Sequence, residues 1–202
     1  GETDDDFRTT GGVLRSIDEE DVNARQAEAR EELSYAGYYS PSMFPPIELL
    51  YVTGTENDAV AAALQNMWST TLGVTVMLRG VTQAEYNARM EAKNYELALQ
   101  KITALYDDAM GFLDRWCSES EQNLINYENG TYDVLIGVAA ASENLVARTA
   151  FLHDAEMMLF DDMALSPVYF DGTAHLLRDT LRGVYTDGFG NSYFTGVRVN
   201  TD

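Results

Sequence analysis

The alternation of helical and extended segments over about the first hundred residues constrains the fold more than any other feature of this chain. Apolar residues recur at helical spacing in segments that are each followed by a short apolar, strand-like run. Strands separated by helices favour parallel pairing, because the chain must cross back over the sheet before the next strand begins. The sequence therefore predicts an α/β fold with a mixed, partly parallel sheet and flanking helices.

Local signals place the boundaries of these segments. The predicted order is helix 22–36, strand 47–52, helix 57–72, strand 74–78, helix 83–93 and strand 96–102. Asp21, and either Asn57 or Asp58, are predicted N-caps, because a short polar side chain can accept a bond from a free backbone N–H. Thr82 with Glu85 fits a capping box. Gly37 and Gly73 follow the first two helices, where a left-handed residue commonly ends a helix.

The second half of the chain has a different pattern. Short helices are predicted over 109–116 and 131–140, and Ser142 with its two neighbours is predicted to open a long helix that ends near Asp161. The apolar stripe of this long helix is Leu145, Thr149, Leu152, Ala155 and Leu159. From residue 165 to 199, glycines interrupt short strand-like runs.

The net charge excludes several classes of partner. The chain carries 33 acidic and 13 basic residues, for a formal charge of −20. Such a surface repels phosphate backbones and anionic lipid, so neither nucleic-acid binding nor direct membrane insertion is predicted. The sequence also lacks an apolar run near the ~18 residues that a membrane span requires.

Catalytic and metal-binding constellations are missing from the sequence. His153 and His175 are its two histidines, 22 residues apart, so neither has a second histidine one helical turn away as a helical zinc site needs. Paired acids lack the oxygen spacing of a calcium loop, so no metal and no cofactor is predicted. A hydrolase would need Cys117 to meet a histidine in the fold, within hydrogen-bond reach. The sequence favours a protein that is not an enzyme.

Two segments carry a family resemblance. Asn126–Ile136 reads NYENGTYDVLI, and Ser166–Phe170 reads SPVYF. They resemble the scaffold signature of the family 5 extracellular solute-binding proteins of ABC importers, the oligopeptide, dipeptide and nickel-binding group, in which the second segment is a strand. Tyr127 and Tyr132 are expected to cover the core instead of touching a ligand, since tyrosine buries well while its hydroxyl stays hydrated.

The resemblance runs from about Val22 to the C-terminus and corresponds to the C-terminal lobe of a type II periplasmic binding protein. It implies that residues 1–20 are a linker or incoming connection and that 21–202 form a single lobe, the N-terminal lobe being absent. In that family two lobes close on a peptide or other small solute, and the closed form is presented to ABC permease subunits. An extracellular or periplasmic location is implied, with a lipid anchor on an N-terminal segment absent here.

The resemblance also assigns a ligand-binding loop. The family loop reads about Trp-x-Ala-Asp-Tyr-x-Asp-Pro, and residues 102–109 here read ITALYDDA. Ligands lie outside the carboxyl ends of the strands in such sheets. The predicted ligand-binding residues are Thr103, Leu105, Tyr106, Asp107, Asp108 and Tyr169, with Phe170 as a further candidate.

One departure from the family pattern bears on the ligand. The first acid of the family loop is implied to hold the amino terminus of a peptide, and that position is Leu105 here. Leucine cannot accept a hydrogen bond, so either Asp107 or Asp108 has taken this role or the ligand carries no free amine. A purely structural interpretation also stays open, in which the loop is a connection and Asp108 is a helix cap.

Other functions stay open at this stage. Similar lobes occur behind DNA-binding domains in cytoplasmic regulators, where the lobe senses a small molecule. Peptides are the first choice of solute, but modified peptides, sugars and metal chelates remain possible ligands.

Overall fold

The computed structural model describes residues 7, 11, 19–106, 108–170, 176–187 and 190–200. The chain divides into two compact units, one of residues 1–103 and 115–133 and the other of residues 104–114 and 134–202. Most of the predicted linker 1–20, and the predicted site residue Asp107, lie outside the described residues.

A parallel sheet forms the centre of the first unit. Its strands are β1 (Ile47–Val52), β2 (Val76–Val81) and β3 (Leu97–Ala98), in the order β2-β1-β3. Strand β1 pairs along its whole length with β2, from Ile47 opposite Val76 to Val52 opposite Val81. It also pairs in parallel with β3. The predicted parallel pairing is confirmed.

Helices α1 (Glu19–Tyr35), α2 (Asn57–Leu72) and α3 (Gln83–Glu91) belong to the same unit. Leu49 and Tyr51 of β1 pack in one apolar cluster with Ala61 and Leu64 of α2. Leu50, fully buried, packs in a second cluster. Its partners in that cluster are Val81, Tyr86 and Met90. Strand β1 is therefore covered on both faces, as expected of the central strand of an α/β sheet.

Several predicted boundaries were wrong. Helix α1 begins at Glu19, so Asp21 is not its N-cap but lies within its first turn. An acidic side chain there is stabilised by the positive end of the helix dipole. Strand β2 begins and ends later than the predicted 74–78, and β3 is shorter than 96–102.

The caps of this unit follow the expected chemistry in part. The Thr82 hydroxyl accepts a bond from the Glu85 N–H at 3.3 Å, which confirms this half of the predicted capping box. Helix α2 begins at Asn57, but its Asp58 carboxylate accepts bonds from the Thr53 hydroxyl at 2.8 Å and the Gly54 N–H at 2.7 Å. Asp58 therefore orders the loop after β1.

The second unit is built around α6 (Leu145–Asp161), which Asn144 caps by accepting a bond from the Ala147 N–H at 3.1 Å. Leu152, Ala155 and Leu159 of the predicted stripe are buried, whereas Leu145 is exposed. The short helix α4 (Met110–Leu113) packs on α6. Helix α5 (Gly130–Ala141) runs from the first unit into the second.

The C-terminal part contains two small antiparallel ladders. Strand β4 (Leu181–Arg182) pairs with β7 (Arg198–Val199), and β5 (Tyr185–Thr186) pairs with β6 (Ser192–Tyr193). The segment Ser166–Phe170 was expected to be a strand, but it has no regular secondary structure. Its side chains Val168, Tyr169 and Phe170 are exposed, so no burial favours an extended ladder there.

The signature segment Asn126–Ile136 is part of the scaffold, as expected. Tyr132 is fully buried and Tyr127 is nearly so, with their rings edge to face at 5.3 Å. The buried Asn123 holds this turn: its amide donates to the carbonyls of Tyr127 at 2.7 Å and Cys117 at 3.2 Å, and its oxygen accepts the Tyr127 N–H at 3.2 Å.

We expect Asn123→Ala to destabilise the first unit by about 2 kcal/mol, because buried backbone groups would lose their partners. Unfolding in urea followed by tryptophan fluorescence measures this, since Trp68 and Trp116 are the two tryptophans and both lie in this unit. Asn94→Ala, at an exposed position, is the matched control and should change stability by less than about 0.5 kcal/mol. Equal effects of the two substitutions would contradict the bridging role of Asn123.

Gly73→Ala should destabilise the first unit more than Gly54→Ala. Both glycines have similar positive φ, 71° and 77°, so both substitutions carry the left-handed backbone penalty of about 1 kcal/mol. A Cβ at Gly73 would also lie 2.7 Å from Cγ of Pro41, whereas nothing lies within 4 Å at Gly54. The clash should add about 1–3 kcal/mol in the same urea experiment. A penalty no larger at Gly73 would show that Pro41 moves away freely.

Candidate ligand-binding loop

The predicted site residues follow the carboxyl end of β3. Thr103 is exposed, and its carbonyl accepts a bond from Arg115 Nη2 at 3.2 Å. Thr103 and Arg115 belong to the first unit, whereas Leu105, Tyr106, Asp108 and Tyr169 belong to the second.

Leu105 and Tyr106 present side chains to solvent. The exposed fraction is 67% for Leu105 and 41% for Tyr106. The Tyr106 hydroxyl donates to Oδ2 of Asp114 at 2.9 Å. Desolvation, this hydrogen bond and the nearby carboxylates of Asp114 and Asp108 raise the pKa of Tyr106 to about 12. Tyr106 is therefore a neutral hydrogen-bonding group near pH 7.

Asp108 organises the turn into helix α4. Its N–H donates to the Tyr106 carbonyl at 2.9 Å, and its own carbonyl accepts the Gly111 N–H at 3.0 Å. Its Oδ1 accepts the Met110 N–H at 2.8 Å. Because Met110 is the first residue of α4, the carboxylate satisfies a free N–H of that helix, as a cap does. The N-cap residue itself is Ala109, so Asp108 is not the predicted cap, although it accepts the first N–H of the helix from the position before the cap.

The structure adds a partner that the sequence analysis missed. Nη2 of Arg148, in the first turn of α6, lies 2.7 Å from Oδ1 of Asp108. The two side chains are only 22% and 28% exposed, so the pair is partly shielded from solvent. A cation near the positive end of a helix is unfavourable unless an anion compensates, and Arg148 at that place was the available signal. Asp108 and Arg148 are forty positions apart in the chain, so local sequence patterns do not reveal their contact.

The ion pair determines how Asp108 titrates. Desolvation by burial acts to raise the pKa of Asp108, but the hydrogen bond and charge of Arg148, together with the Met110 N–H, outweigh it. The pKa is therefore lowered from the ordinary 3.8. The resulting stabilisation is present above the unfolded-state pKa and is lost as the pH falls through the lower folded-state value.

Tyr169 is the last of the predicted ligand-binding residues, and His153 is one of the two histidines considered as metal ligands. Tyr169 is 56% exposed in an irregular segment of the second unit. His153 Nδ1 lies 3.8 Å from a carboxylate oxygen of Glu156 on the same helix. Across the described residues, His, Cys, Asp and Glu side chains form no group of three that would hold a metal ion. His175 lies outside these residues.

Each unit has a surface depression among its described residues. The first unit has a polar groove that includes Glu48, Arg89 and Glu96, and the second has an apolar one that includes Val134 and Val138. Neither contains a predicted ligand-binding residue. No helix within the described ranges is long and apolar enough to cross a membrane.

Replacement of Arg148 by Met should raise the pKa of Asp108, because the hydrogen bond and charge that lower it disappear while the burial remains. A carboxyl-carbon NMR titration of Asp108 measures the change. Arg79→Met removes the same charge from an exposed position of the first unit and should leave the Asp108 pKa as in wild type. An unaltered pKa in the Arg148→Met variant would show that the Met110 N–H alone controls this carboxylate.

The comparisons with known proteins agree with this fold. The family model of bacterial extracellular solute-binding proteins, family 5 (middle), matches residues 9–123, more than half of the chain. The dipeptide-binding protein DppE of Bacillus subtilis is 26% identical, over 89% of this chain and 32% of its own length. The probable deoxycholate-binding periplasmic protein YgiS of Escherichia coli is 30% identical, over 80% of this chain and 30% of its own length.

Among solved structures, the murein tripeptide-binding protein MppA of Escherichia coli superposes with a TM-score of 0.70 at 27% identity. The alignment covers 78% of this chain and 31% of that one. The chain thus spans about a third of the length of the curated relatives it matches. It has the α/β architecture of these periplasmic binding proteins, with a parallel sheet and flanking helices. The chain belongs to the bacterial extracellular solute-binding proteins of family 5.

Proposed function

We propose that this chain is part of a receptor that binds a solute, in the first place an oligopeptide, for uptake by an ABC importer. The observation that carries the proposal is the family match over residues 9–123. Relatives named as dipeptide-, oligopeptide- and murein peptide-binding proteins support the peptide as first choice. The relatives are binding proteins, and we propose that this protein likewise performs no chemistry on its solute.

The coverage of the relatives supports a two-lobe arrangement. Because the chain spans about a third of their length, we propose that residues 21–202 form one lobe and that a second, N-terminal lobe completes the site. Residues 1–20 would form the connection between the lobes. Lobes joined by a hinge can close around a solute and present a distinct closed form to permease subunits.

Relatives with the word periplasmic in their names support the proposed location. We propose an extracellular or periplasmic protein that is held at the membrane by a lipid on an N-terminal segment. A surface charge of −20 suits a secreted protein that must stay soluble and apart from anionic lipid.

The proposed solute-contacting residues are Thr103, Leu105, Tyr106, Asp107 and Tyr169, with Asp108 in the same loop. The exposure of Leu105, Tyr106 and Tyr169 supports their inclusion, since a contacting side chain must be reachable. For Asp108, the bond to Arg148 is evidence that its role is indirect.

A receptor for a solute other than a peptide is the second candidate. Two observations favour it: Leu105 stands where the family acid is expected, and the relative at 30% identity is named as probably deoxycholate-binding. An apolar side chain at this position suits an amphipathic solute better than a charged peptide end, because it offers no partner for an ammonium group.

Mass spectrometry of the solute that co-purifies with the complete gene product tests the function. We expect a small molecule, a peptide in the first place, that is released on unfolding and rebinds with micromolar or tighter affinity in calorimetry. The outcome that would sink the proposal is a complete protein with no bound solute and no heat of binding across di- to pentapeptides and bile acids.

Leu105→Asp should create a preference for a free amine in the complete protein. A carboxylate there would form a charge-assisted bond, so tri-alanine should gain about tenfold in affinity over N-acetyl-tri-alanine relative to wild type. Leu105→Asn, of similar size without the charge, is the matched control and should leave the ratio near that of wild type. If the Asp variant also keeps the wild-type ratio, Leu105 does not face the amino end of a peptide.

A further inference from the structure

We propose that Arg148 is a specificity-determining residue of the solute wall, by which we mean the surface that residues 104–106 and 108 form. By holding the carboxylate of Asp108, it withholds this acid from the solute, and the wall therefore accepts solutes without an ammonium group. The inference rests on the proposed function, because it concerns the loop that we propose contacts the solute.

The first step is the position of Arg148. It lies in the first turn of α6, and its N–H donates to the carbonyl of the N-cap Asn144 at 2.9 Å. A positive side chain is disfavoured there by the helix dipole. The carboxylate of Asp108, at 2.7 Å from Nη2, is the anion that compensates both the guanidinium and the positive end of the helix dipole. Each member of the pair therefore stabilises the other in its place.

The second step is how firmly Asp108 is held. Its Oδ1 accepts both the guanidinium and the Met110 N–H, and its carbonyl accepts the Gly111 N–H. With only 28% of its side chain exposed, the carboxylate has already lost most of its hydration. A solute ammonium would have to displace a guanidinium that is already placed, so it would gain little net free energy.

The third step is what the loop still offers. The Tyr106 hydroxyl is bonded to Asp114, so this second acid is also engaged within the protein. Leu105 is the most exposed of these side chains, and it is apolar. Residues 104–106 and 108 therefore present an apolar group and compensated charges. Such a surface fits the neutral or apolar end of a solute, for example a peptide with a blocked amino terminus.

Calorimetry on the complete gene product with tri-alanine and N-acetyl-tri-alanine tests the inference. The wild-type protein should bind the two probes with similar affinity. In the Arg148→Met variant Asp108 becomes available, and the affinity ratio should shift about tenfold towards tri-alanine. Arg148→Lys, which keeps the cation, and Arg79→Met, which removes an exposed cation of the first unit, should keep the wild-type ratio. The double variant Asp108→Asn/Arg148→Met should return to it.

Each other result overturns the inference. A purely structural role of Arg148 would weaken both probes by the same factor and leave their ratio unchanged. A wild-type protein that already binds tri-alanine tenfold more tightly than N-acetyl-tri-alanine would overturn the inference, because an acid would then be available to the amine. Binding of neither probe also overturns the inference, and a co-purified solute would then show that the proposed function survives. If Arg148→Met does not fold, Asp108→Asn decides, because it should keep the wild-type ratio only if Asp108 is withheld.

Discussion

The structure of the first unit depends on the burial of β1 on both faces. A strand that is covered on both sides must be apolar at consecutive positions, and Leu49, Leu50 and Tyr51 meet this requirement. Alternate side chains then point to opposite clusters, Leu49 and Tyr51 to one and Leu50 to the other. Because β1 pairs with a strand on each edge, the same residues also fix the parallel order β2-β1-β3. The segments that carry the proposed solute loop leave this sheet at the carboxyl end of β3.

Much of this sheet could be predicted from the sequence, because its determinants are local. The apolar run Ile47–Val52, the helix Asn57–Leu72 and the left-handed Gly73 are each specified by neighbouring residues, and the structure has them where the sequence predicts them. Strand β3 was overestimated, because apolar content alone does not show where pairing with β1 ends. The segment Ser166–Phe170 was wrongly expected to be a strand for a related reason. Strand formation needs a partner, and a pattern of five residues does not supply one.

The candidate site was less predictable than the sheet. Its exposed members, Leu105 and Tyr106, are predicted from the resemblance, while the sequence leaves Asp108 open between a ligand-binding and a capping role. Asp108 pairs with Arg148, forty positions further along the chain, and local sequence patterns do not show which residues form such a tertiary pair. The buried bridge of Asn123 was missed for the same reason, since a lone Asn in a polar loop looks like any turn residue.

The excess of acids in this chain makes the Asp108–Arg148 pair informative. With 33 acidic and 13 basic residues, most carboxylates cannot have a cation of their own, and an exposed pair contributes little to stability. This pair is partly shielded, and its arginine stands at an unfavourable helix end, so a merely solubilising role does not explain the placement. Shielding the pair from water costs hydration free energy, which only well-placed contacts can offset. Here these contacts are the 2.7 Å ion pair and the hydrogen bond from the Met110 N–H. An uncompensated acid beside Leu105 would draw cationic solutes to the loop. In the proposed site, neutralising that acid while keeping its bond to the Met110 N–H would preserve the turn into α4 and leave Leu105 exposed to the solute.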